Sequence, residues 1–545
     1  MSRRWFSTSL TLVFVLLVAG LGYFAWIKYG QPRRMNAILL TVESFRADFV
    51  KPEIIPNLLA AAESGLRFTG HRTISAWTAP NVIAVLTGTS AFDQGVHAQR
   101  QSIPAEWKVP LETLSDAGWR VTGLQSFMQI DTFRNLGLAV EPGQELQPWL
   151  EHQSGTASPF VVWYHYLNTH LPYKPSPAFM PDLDKLLPAG DTAARARMEA
   201  VMNQPTVLHG TVAFEPTDAP AVTALHAATT REFDAWFGRF WKFFQSSGLA
   251  RDTILVVTAD HGDEHLERGH VGHASTTHDG HLYEELVHIP LFIWVPEDGG
   301  GRHRGQVDVQ TDHMDIMPTV MRHLGLKPEI TLAGRDLLAD KITPARPWLG
   351  LTSKAGFQEA DPYGMREFRT AMLDGKWKLH IDQLDDSPAN VRLYDLQDDP
   401  KELHNLADQH PDIVARLSTP LEAAFAGRRV VRPGSGGTAD ALAGVPNWRV
   451  PAASAAVPFD AVAMGFRMEW NGTEGADYVI QYQAGEGLLS LKGELEVKGT
   501  SKELGPIDPS YWKNFVLPYG KIRIRVGPAG HNDRWSDWLI MTPVP

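Results

Sequence analysis

Short apolar runs that end in acidic or histidine residues dominate the hydrophobic pattern of this chain. The run at 37–42 leads directly to Glu43, and the run at 254–257 is followed two residues later by Asp260 and His261. Continuous β-branched runs of this length are typical of strands buried on both faces of a parallel sheet. Open α/β sheets bind ligands at the carboxyl ends of such strands, so we predict a functional site there.

Helical periodicity marks several segments between these runs. A short helix ended by glycine is predicted at 56–65, and a long amphipathic helix is predicted at 222–246. In the long helix, aromatic residues recur at spacings of three and four, which places them in the core: Phe233, Trp236, Phe240 and Phe244. The pattern of alternating strands and helices therefore predicts an α/β fold.

Residues 7–27 contain no charged side chain, and about 20 apolar residues suffice to span a bilayer. We predict that residues 1–34 form an uncleaved, single-pass anchor in the cytoplasmic (inner) membrane, with the rest of the chain on the periplasmic side. A cleaved signal peptide is the alternative, although its apolar core typically has only about 7–15 residues. The flanking positive charges nearly balance and do not decide the orientation.

The composition of the 545 residues narrows the classes of function. A net charge of −12 gives no basic face for nucleic acid, so we expect no nucleic-acid partner. The absence of cysteine excludes disulfides, zinc–thiolate sites and cysteine nucleophiles. Nothing in the composition indicates the oligomeric state.

The C-terminal part differs in composition from the part before it. We predict a catalytic domain at 35–425, a linker rich in Pro, Gly and Ala at 426–457, and a module at 458–545. Alternating runs split by Gly and Pro turns predict that this module is a small β-sandwich. Its RWSDW segment resembles the tryptophan signature of fibronectin type III-like modules.

Thr78 comes two residues before a proline and an apolar helical run, so we predict its hydroxyl at a helix N-terminus. Unpaired N–H groups and the positive end of the helix dipole favour an incoming anion at such a position. Threonine is also a common N-cap, which is the alternative role. Glu43, Asp260 and His261 also lie at predicted strand ends, and their presence favours a nucleophile role for Thr78 over an N-cap role. We also predict Asn81 as a substrate-binding residue.

Seven motifs in the region 35–417 resemble, in their order, the sulfatase branch of the alkaline phosphatase superfamily. They are VESFRAD, TAPNVIAVLTG, HYLNTHLPY, TADHGDE, LYEELVHIPLFI, MDIMPT and LYDLQDDPKELHNLA. The resemblance implies a mixed, mostly parallel sheet sandwiched by helices, with a metal site at the carboxyl edge of the sheet.

The resemblance also implies the roles of individual residues. Glu43, Asp260 and His261 match metal ligands, and Thr78 matches the nucleophile, which also binds the metal. His170 and His278 match substrate contacts. For the second of these contacts, His273 and His281 remain alternatives, because seven of the 21 histidines fall between His261 and His288.

The chain departs from sulfatases at the nucleophile. Sulfatases carry Cys or Ser there, oxidised to formylglycine, and an Arg four residues later, whereas this chain has Thr78 and Val82. The combination of Glu43, Thr78, Asp260 and His261 instead resembles that of lipoteichoic acid synthases and phosphoethanolamine transferases. Thr is also the nucleophile of nucleotide phosphodiesterases. Oxygen and nitrogen ligands without sulfur predict one divalent metal ion, with Mn²⁺ or Zn²⁺ favoured over Ca²⁺ or Mg²⁺ because of His261.

The sequence therefore predicts a membrane-anchored, metal-dependent hydrolase or transferase. We expect an anionic phosphodiester or phosphonate-type ester as the substrate, carried by an envelope lipid or glycan. One alternative is a sulfuric ester hydrolase acting on an envelope or extracellular substrate. Another is a catalytically weak protein that binds an envelope polymer.

Overall fold

The structure is a computed structural model. It describes residues 34–98, 101–125, 131–153, 158–204, 212–274, 280–296, 303–327, 332–343, 346–354, 356, 366–384, 387–430, 448–450, 455–458, 466–473, 475–484, 491–504, 513, 520–529, 535–536 and 538–544. The predicted membrane anchor, residues 1–34, lies outside this set except for its last residue. Among the helices of the described ranges, none has the length and apolar character needed to cross a bilayer.

An eight-stranded sheet forms the centre of the larger part of the chain. Its order is β10-β2-β9-β6-β1-β5-β3-β4, and every pairing is parallel except those of β9 with β2 and β6. A two-residue pair, β7 and β8, forms a separate small hairpin. The strands of this part are β1 (Asn36–Val42), β2 (Leu66–Arg72), β3 (Arg120–Gly123), β4 (Ala139–Val140), β5 (Phe160–Tyr166), β6 (Thr253–Ala259), β7 (Glu264–His265), β8 (Val271–Gly272), β9 (Leu291–Trp294) and β10 (Gly305–Asp312).

Helices cover both faces of this sheet, which confirms the predicted α/β architecture with a mixed, mostly parallel sheet. One face carries α2, α4 and α9, and the other carries α1, α5 and α7. The helices are α1 (Pro56–Ala62), α2 (Thr78–Thr87), α3 (Ala91–Gln94), α4 (Pro110–Asp116), α5 (Leu146–Gln153), α6 (Thr192–Asn203), α7 (Ala219–Ser246), α8 (Glu284–Val287), α9 (Ile316–His323) and α10 (Pro411–Ala426). The aromatic stripe of α7 is in the core, as predicted, because Phe233, Phe240 and Phe244 are buried.

A four-stranded antiparallel sheet follows the central sheet. Its strands are β11 (Trp348–Ser353), β12 (Glu367–Asp374), β13 (Trp377–Leu384) and β14 (Ser387–Asp395). Helix α10 shares an apolar cluster with this sheet, and residues near α2 and α3 belong to the same cluster. The small sheet therefore packs against the part of the chain that carries Thr78.

The C-terminal region forms two further sheets. One has the order β15-β17-β20 and the other β16-β22-β21-β18-β19, and side chains of both meet in one apolar cluster. The strands are β15 (Trp448–Val450), β16 (Ala455–Pro458), β17 (Phe466–Trp470), β18 (Asp477–Ala484), β19 (Leu491–Lys498), β20 (Ser501–Leu504), β21 (Ile522–Pro528) and β22 (Leu539–Val544). The shared core agrees with the predicted sandwich, but β15 and β16 lie inside the predicted linker, so strand pairing begins earlier than expected.

Candidate active site

The site begins where β1 and β6 end side by side. Their parallel register pairs Val42 with Ala259, so Glu43 and Asp260 leave the sheet at neighbouring positions. Ser44 adopts a positive φ of 57°, and its N–H donates to Asp260 Oδ1 at 3.0 Å. The turn after β1 thus fixes one oxygen of Asp260 and leaves the other for the site.

Three oxygen atoms surround one nitrogen of His261. The Nε2 atom lies 3.2 Å from Glu43 Oε1, 3.2 Å from Asp260 Oδ2 and 3.3 Å from Thr78 Oγ1. The other ring nitrogen, Nδ1, lies 2.8 Å from the Gly262 carbonyl, to which only an N–H can donate. Nδ1 therefore carries a proton, and Nε2 is the nitrogen that faces the three oxygens.

Gly262 holds this histidine in place through a close approach of backbone to backbone. Its N–H donates to the Leu286 carbonyl at 2.8 Å. A Cβ at this position would lie 2.0 Å from the Glu285 carbonyl oxygen, so no other residue fits without a shift of the chain. The glycine of the Asp-His-Gly triplet is thus a packing requirement of the site.

The donor set fits a divalent metal ion. Asp260 Oδ2 is buried and accepts no hydrogen bond from any described residue. A bound cation would compensate the charge of this carboxylate oxygen. Neighbouring ligands of a tetrahedral ion with bonds of about 2 Å lie about 3.3 Å apart, close to the separations around His261 Nε2. We therefore assign Glu43, Asp260, His261 and Thr78 as the residues that would hold the ion.

The pKa values of these groups also indicate that the site favours a bound positive charge. Burial would lower the pKa of His261, but the Asp260 and Glu43 carboxylates outweigh it and raise the pKa to about 10. Burial and the neighbouring Glu43 raise the pKa of Asp260 to about 6. Burial would also raise the pKa of Glu43, but His170, His165 and His261 hold it well below its usual range. In the protein without a metal, a proton takes the place of the cation.

Thr78 is the first residue of α2, as the sequence predicted, and Trp77 precedes it in an extended conformation. Asn81, predicted to bind substrate, has another role in the structure. Its Oδ1 accepts from the N–H groups of Ile74 and Ser75, at 3.1 and 3.0 Å, and its Nδ2 donates to the carbonyls of Ser75 and Trp77. All the hydrogen-bonding capacity of Asn81 is therefore used to shape the loop that presents Thr78.

His165 contacts the site from behind Glu43. Its Nε2 lies 2.8 Å from Glu43 Oε2, and its Nδ1 lies 2.6 Å from the Thr41 hydroxyl. With Nε2 protonated, His165 donates to one Glu43 oxygen and turns the other toward His261. His165 therefore orients the Glu43 carboxylate.

Two more histidines border the site. The His273 ring lies 4.0 Å from the His261 ring and 5.0 Å from the His170 ring, measured between centroids. His273 Nδ1 lies 2.6 Å from Asp263 Oδ1, and the Tyr173 hydroxyl donates to Asp263 Oδ2 at 2.6 Å. Burial lowers the pKa of His273 to about 4, so this ring is neutral near pH 7.

Of the two loop histidines in the described ranges that were proposed as substrate contacts, His273 and His281, His273 is the one whose ring lies near that of His261. His278, the predicted choice, lies outside the described residues. His281 is turned elsewhere, with its Nε2 3.9 Å from Glu264 Oε2 and its ring 5.7 Å from that of His270. The ring of His170, the other predicted substrate contact, lies 5.0 Å from that of His273.

Comparison with known proteins shows what part of the chain resembles. The Sulfatase family model matches residues 143–326, a range that contains His170, Asp260, His261 and His273. This part of the chain is therefore similar to the Sulfatase family.

Arylsulfatase K of Mus musculus is 28% identical over 222 residues to this sulfatase-like chain. The matched segment covers 38% of the chain and 36% of the mouse protein, so the chain spans about a third of the length of that relative. The multifunctional alkaline phosphatase superfamily protein PehA of Trinickia caryophylli is 29% identical over 119 residues, which cover 21% of each protein.

Solved structures share the fold of the sulfatase-like chain. The phosphonate monoester hydrolase of Agrobacterium radiobacter matches with a TM-score of 0.57 at 19% identity, over 72% of this chain and 96% of that one. A protein solved with its substrate D-glucosamine-2-N,6-O-disulfate matches with a TM-score of 0.56 at 16% identity, over 72% and 98% of the two chains. At these identities the matches establish the fold alone.

Sequence reasoning missed one functional residue of this sulfatase-like protein altogether. Asp263, which holds His273, is part of the same Asp-His-Gly-Asp run as Asp260. The sequence does show that Asp263 lies three residues after Asp260, which could have indicated a second carboxylate near the site. Its partners, His273 and Tyr173, lie 10 and 90 residues away in the chain, so their contact could not be seen in the sequence.

Proposed function

We propose that this protein is a metal-dependent hydrolase that cleaves a phosphodiester or phosphonate monoester through a covalent Thr78 intermediate. The observation that carries the proposal is the position of Thr78 Oγ1, 3.3 Å from His261 Nε2 and at the first residue of α2. The hydroxyl thus shares one small space with two carboxylates and an imidazole. The names of two matched proteins, PehA and phosphonate monoester hydrolase, agree with chemistry at phosphorus.

The bound metal would lower the pKa of the Thr78 hydroxyl and neutralise charge on the phosphoryl oxygens. Thr78 releases its hydroxyl proton to solvent, and its Oγ1 forms a bond to phosphorus while the bond from phosphorus to the ester oxygen breaks. The alkoxide that leaves takes a proton from solvent. The N-terminal N–H groups of α2 stabilise the negative charge that develops beside Thr78. His170 and His273 border this space and contact the substrate.

Release of the product requires water. His273 is neutral near pH 7, with Nδ1–H donated to Asp263, so its Nε2 can accept the proton of an attacking water. The water oxygen bonds to phosphorus, and Thr78 Oγ1 leaves and regains a proton. Hydrolysis rather than transfer is proposed because one predicted membrane segment is fewer than is usual in transferases that use lipid donors.

Replacement of Thr78 tests the nucleophile. Thr78→Ala should lower kcat on an aryl phosphodiester or phosphonate monoester by about a thousandfold or more, because no covalent intermediate can form. Thr78→Ser is the matched control, since it keeps a hydroxyl at the same position and should retain measurable turnover. Intact-mass analysis of rapidly quenched wild-type enzyme should show a phosphorus-containing adduct on Thr78. Full activity in Thr78→Ala would refute the proposal.

A sulfuric ester hydrolase is the second candidate function, because the matched curated relatives include arylsulfatase K. Thr78 argues against it, since threonine cannot be oxidised to formylglycine. A panel of phosphodiester, phosphonate monoester, phosphomonoester and sulfate ester substrates, each with added Mn²⁺ or Zn²⁺, separates the two functions. Preference for the sulfate ester favours the sulfatase function. If no substrate turns over and no metal is retained, the protein is a binding protein instead.

We also propose that residues 1–34 anchor the enzyme in the cytoplasmic membrane with the catalytic domain in the periplasm. The uncharged stretch at 7–27 supports this placement. Full-length protein should sediment with membranes and resist alkaline extraction, whereas a variant that begins at Met35 should stay in the supernatant. Recovery of both forms in the supernatant would contradict the anchor.

A further inference from the structure

A second polar cleft lies on the opposite face of β5 from the metal site. It has a volume of about 280 Å³ and opens between the end of β5 and helix α7. Tyr164 and Tyr166 of β5 belong to the core on the α7 side, whereas His165 between them points to Glu43. Because side chains alternate along a strand, the cleft and the metal site are separated by the strand itself.

Gln125 leaves an unused acceptor in the lining of this cleft. The side chain is almost fully buried, with 2% of its surface exposed, and its Nε2 donates to the His165 carbonyl. Its Oε1 accepts no hydrogen bond from any described residue. A buried amide oxygen without a donor is destabilising, so a ligand that donates to Gln125 would recover the lost hydrogen-bond energy.

The charges along the cleft favour a cationic ligand. Glu145 and Glu232 contribute two carboxylates, and Arg239 is the one guanidinium among the lining residues. The Arg239 side chain is partly engaged, since it donates to the Ala235 carbonyl of its own helix at 3.1 Å. Burial, Glu232 and Glu145 together raise the pKa of Tyr166, which places both carboxylates near the same hydroxyl.

Aromatic rings complete the lining. The rings of Tyr164 and Trp236 are stacked, with centroids 5.7 Å apart and an angle of 12° between their planes. The Tyr164 hydroxyl donates to Glu145 Oε2 at 2.9 Å, so the ring and the carboxylate are held together. Aromatic faces beside carboxylates attract ammonium groups and pack against the C–H faces of sugars.

We propose that this cleft binds a small hydroxylated ligand that bears a primary ammonium group, such as an amino sugar. The ammonium group lies between Glu145 and Glu232, a hydroxyl or N–H of the ligand donates to Gln125 Oε1, and the carbon skeleton packs on Tyr164 and Trp236. His165 lines the cleft as well as contacting Glu43, but none of the four residues assigned to the metal lines the cleft, and binding there does not depend on the reaction at Thr78.

Calorimetric titration of the full-length protein with D-glucosamine and D-glucose at pH 6.5 tests the proposal. The two sugars have the same shape apart from one ammonium group, so glucosamine should bind at least tenfold more tightly. Glu232→Gln should weaken glucosamine binding by about tenfold while it keeps the oxygen that accepts from the Ser176 N–H. Glu63→Gln, an exposed carboxylate on another part of the surface, is the matched control and should bind as the wild type does.

Three results would overturn the proposal. Equal affinity for the two sugars removes the role of the ammonium group. Unchanged affinity in a folded Glu232→Gln variant, checked by circular dichroism and melting temperature, places the ligand elsewhere. No heat signal with either sugar up to the limit of solubility shows that the cleft is not a site for this class of ligand. None of these measurements uses turnover, so failure here is distinguishable from failure of the Thr78 assignment.

Discussion

Glu43 is held between two imidazoles that act on different oxygens of its carboxylate. His261 Nε2 lies 3.2 Å from Oε1, and His165 Nε2 lies 2.8 Å from Oε2. The Thr41 hydroxyl, 2.6 Å from His165 Nδ1, fixes the tautomer and the ring orientation of His165. Hydrogen bonds of this kind behind a ligand orient it and tune its affinity for metal.

Removal of His165 should therefore weaken metal binding without removing a ligand. His165→Leu is expected to lower the affinity for Mn²⁺ or Zn²⁺ by about 10–100-fold, because the Glu43 carboxylate loses its fixed orientation. Calorimetric metal titration and metal content after dialysis measure the effect.

His165→Gln, which restores an N–H donor toward Glu43, should recover part of the lost metal affinity. His152→Leu, at an exposed histidine of α5, serves as the control for a surface change. Wild-type metal affinity in a folded His165→Leu variant would show that His165 only packs beneath the sheet.

At the scale of elements, a buried charge network ties the small sheet to the central one. Glu284, at the start of α8, accepts from Arg72 of β2 at 2.7 Å and from Lys378 of β13 at 2.8 Å. Lys378 also contacts Glu402, which accepts from His380 at 2.6 Å. Lys378 is fully buried, so its amine serves the junction between sheets rather than the substrate cleft.

The two lysines of β13 and its preceding turn give a direct test of this network. Lys378→Met should destabilise the fold by about 3–5 kcal/mol, because it leaves the Glu284 and Glu402 carboxylates buried with less compensation. Lys376→Met is the matched control. Lys376 is exposed and pairs with Asp395, so its loss should change the urea midpoint far less than the loss of Lys378 does. Urea unfolding followed by tryptophan fluorescence measures the stability of both variants. Equal losses of stability would show that the buried Lys378 contributes no more to the fold than the lysine at the surface does.

At the scale of the whole molecule, several histidines are buried as neutral rings. Burial lowers the pKa of His97, His226 and His380 to about 4 in each case. The ordinary pKa of histidine in an unfolded chain is about 6.5. As the pH falls below 6.5, these histidines therefore become protonated in the unfolded chain, whereas in the folded protein they stay neutral until about pH 4.

Stability should accordingly be complete above about pH 6.5 and fall between pH 6.5 and 4, by roughly 3 kcal/mol for each such histidine. Urea midpoints measured from pH 7.5 to 4.5 give the slope. His97→Phe should reduce that slope, because His97 packs edge-on against Phe368 and a phenyl ring can take its place without titrating. An identical slope in the variant would exclude a contribution from His97.

How far the site could be predicted depends on which residues are considered. The positions of Glu43, Asp260 and His261 follow from buried runs that stop at polar residues, because parallel strands end at the same edge of a sheet. The position of Thr78 follows from the apolar helical run that it precedes. Asn81 was wrongly assigned because the sequence does not show that the loop at 74–77 takes all its hydrogen bonds.

The sequence by itself thus determined the α/β class and the edge of the sheet at which Glu43, Asp260 and His261 meet. Only the tertiary structure decided which of the described loop histidines approaches His261. The chain folds back after the β7–β8 hairpin and places the His273 ring beside that of His261, whereas His265 pairs with His226 and His281 turns toward His270. The physical reason is that a shift of one residue in a strand or turn reverses the direction of a side chain, and that register is set by contacts distant in the chain.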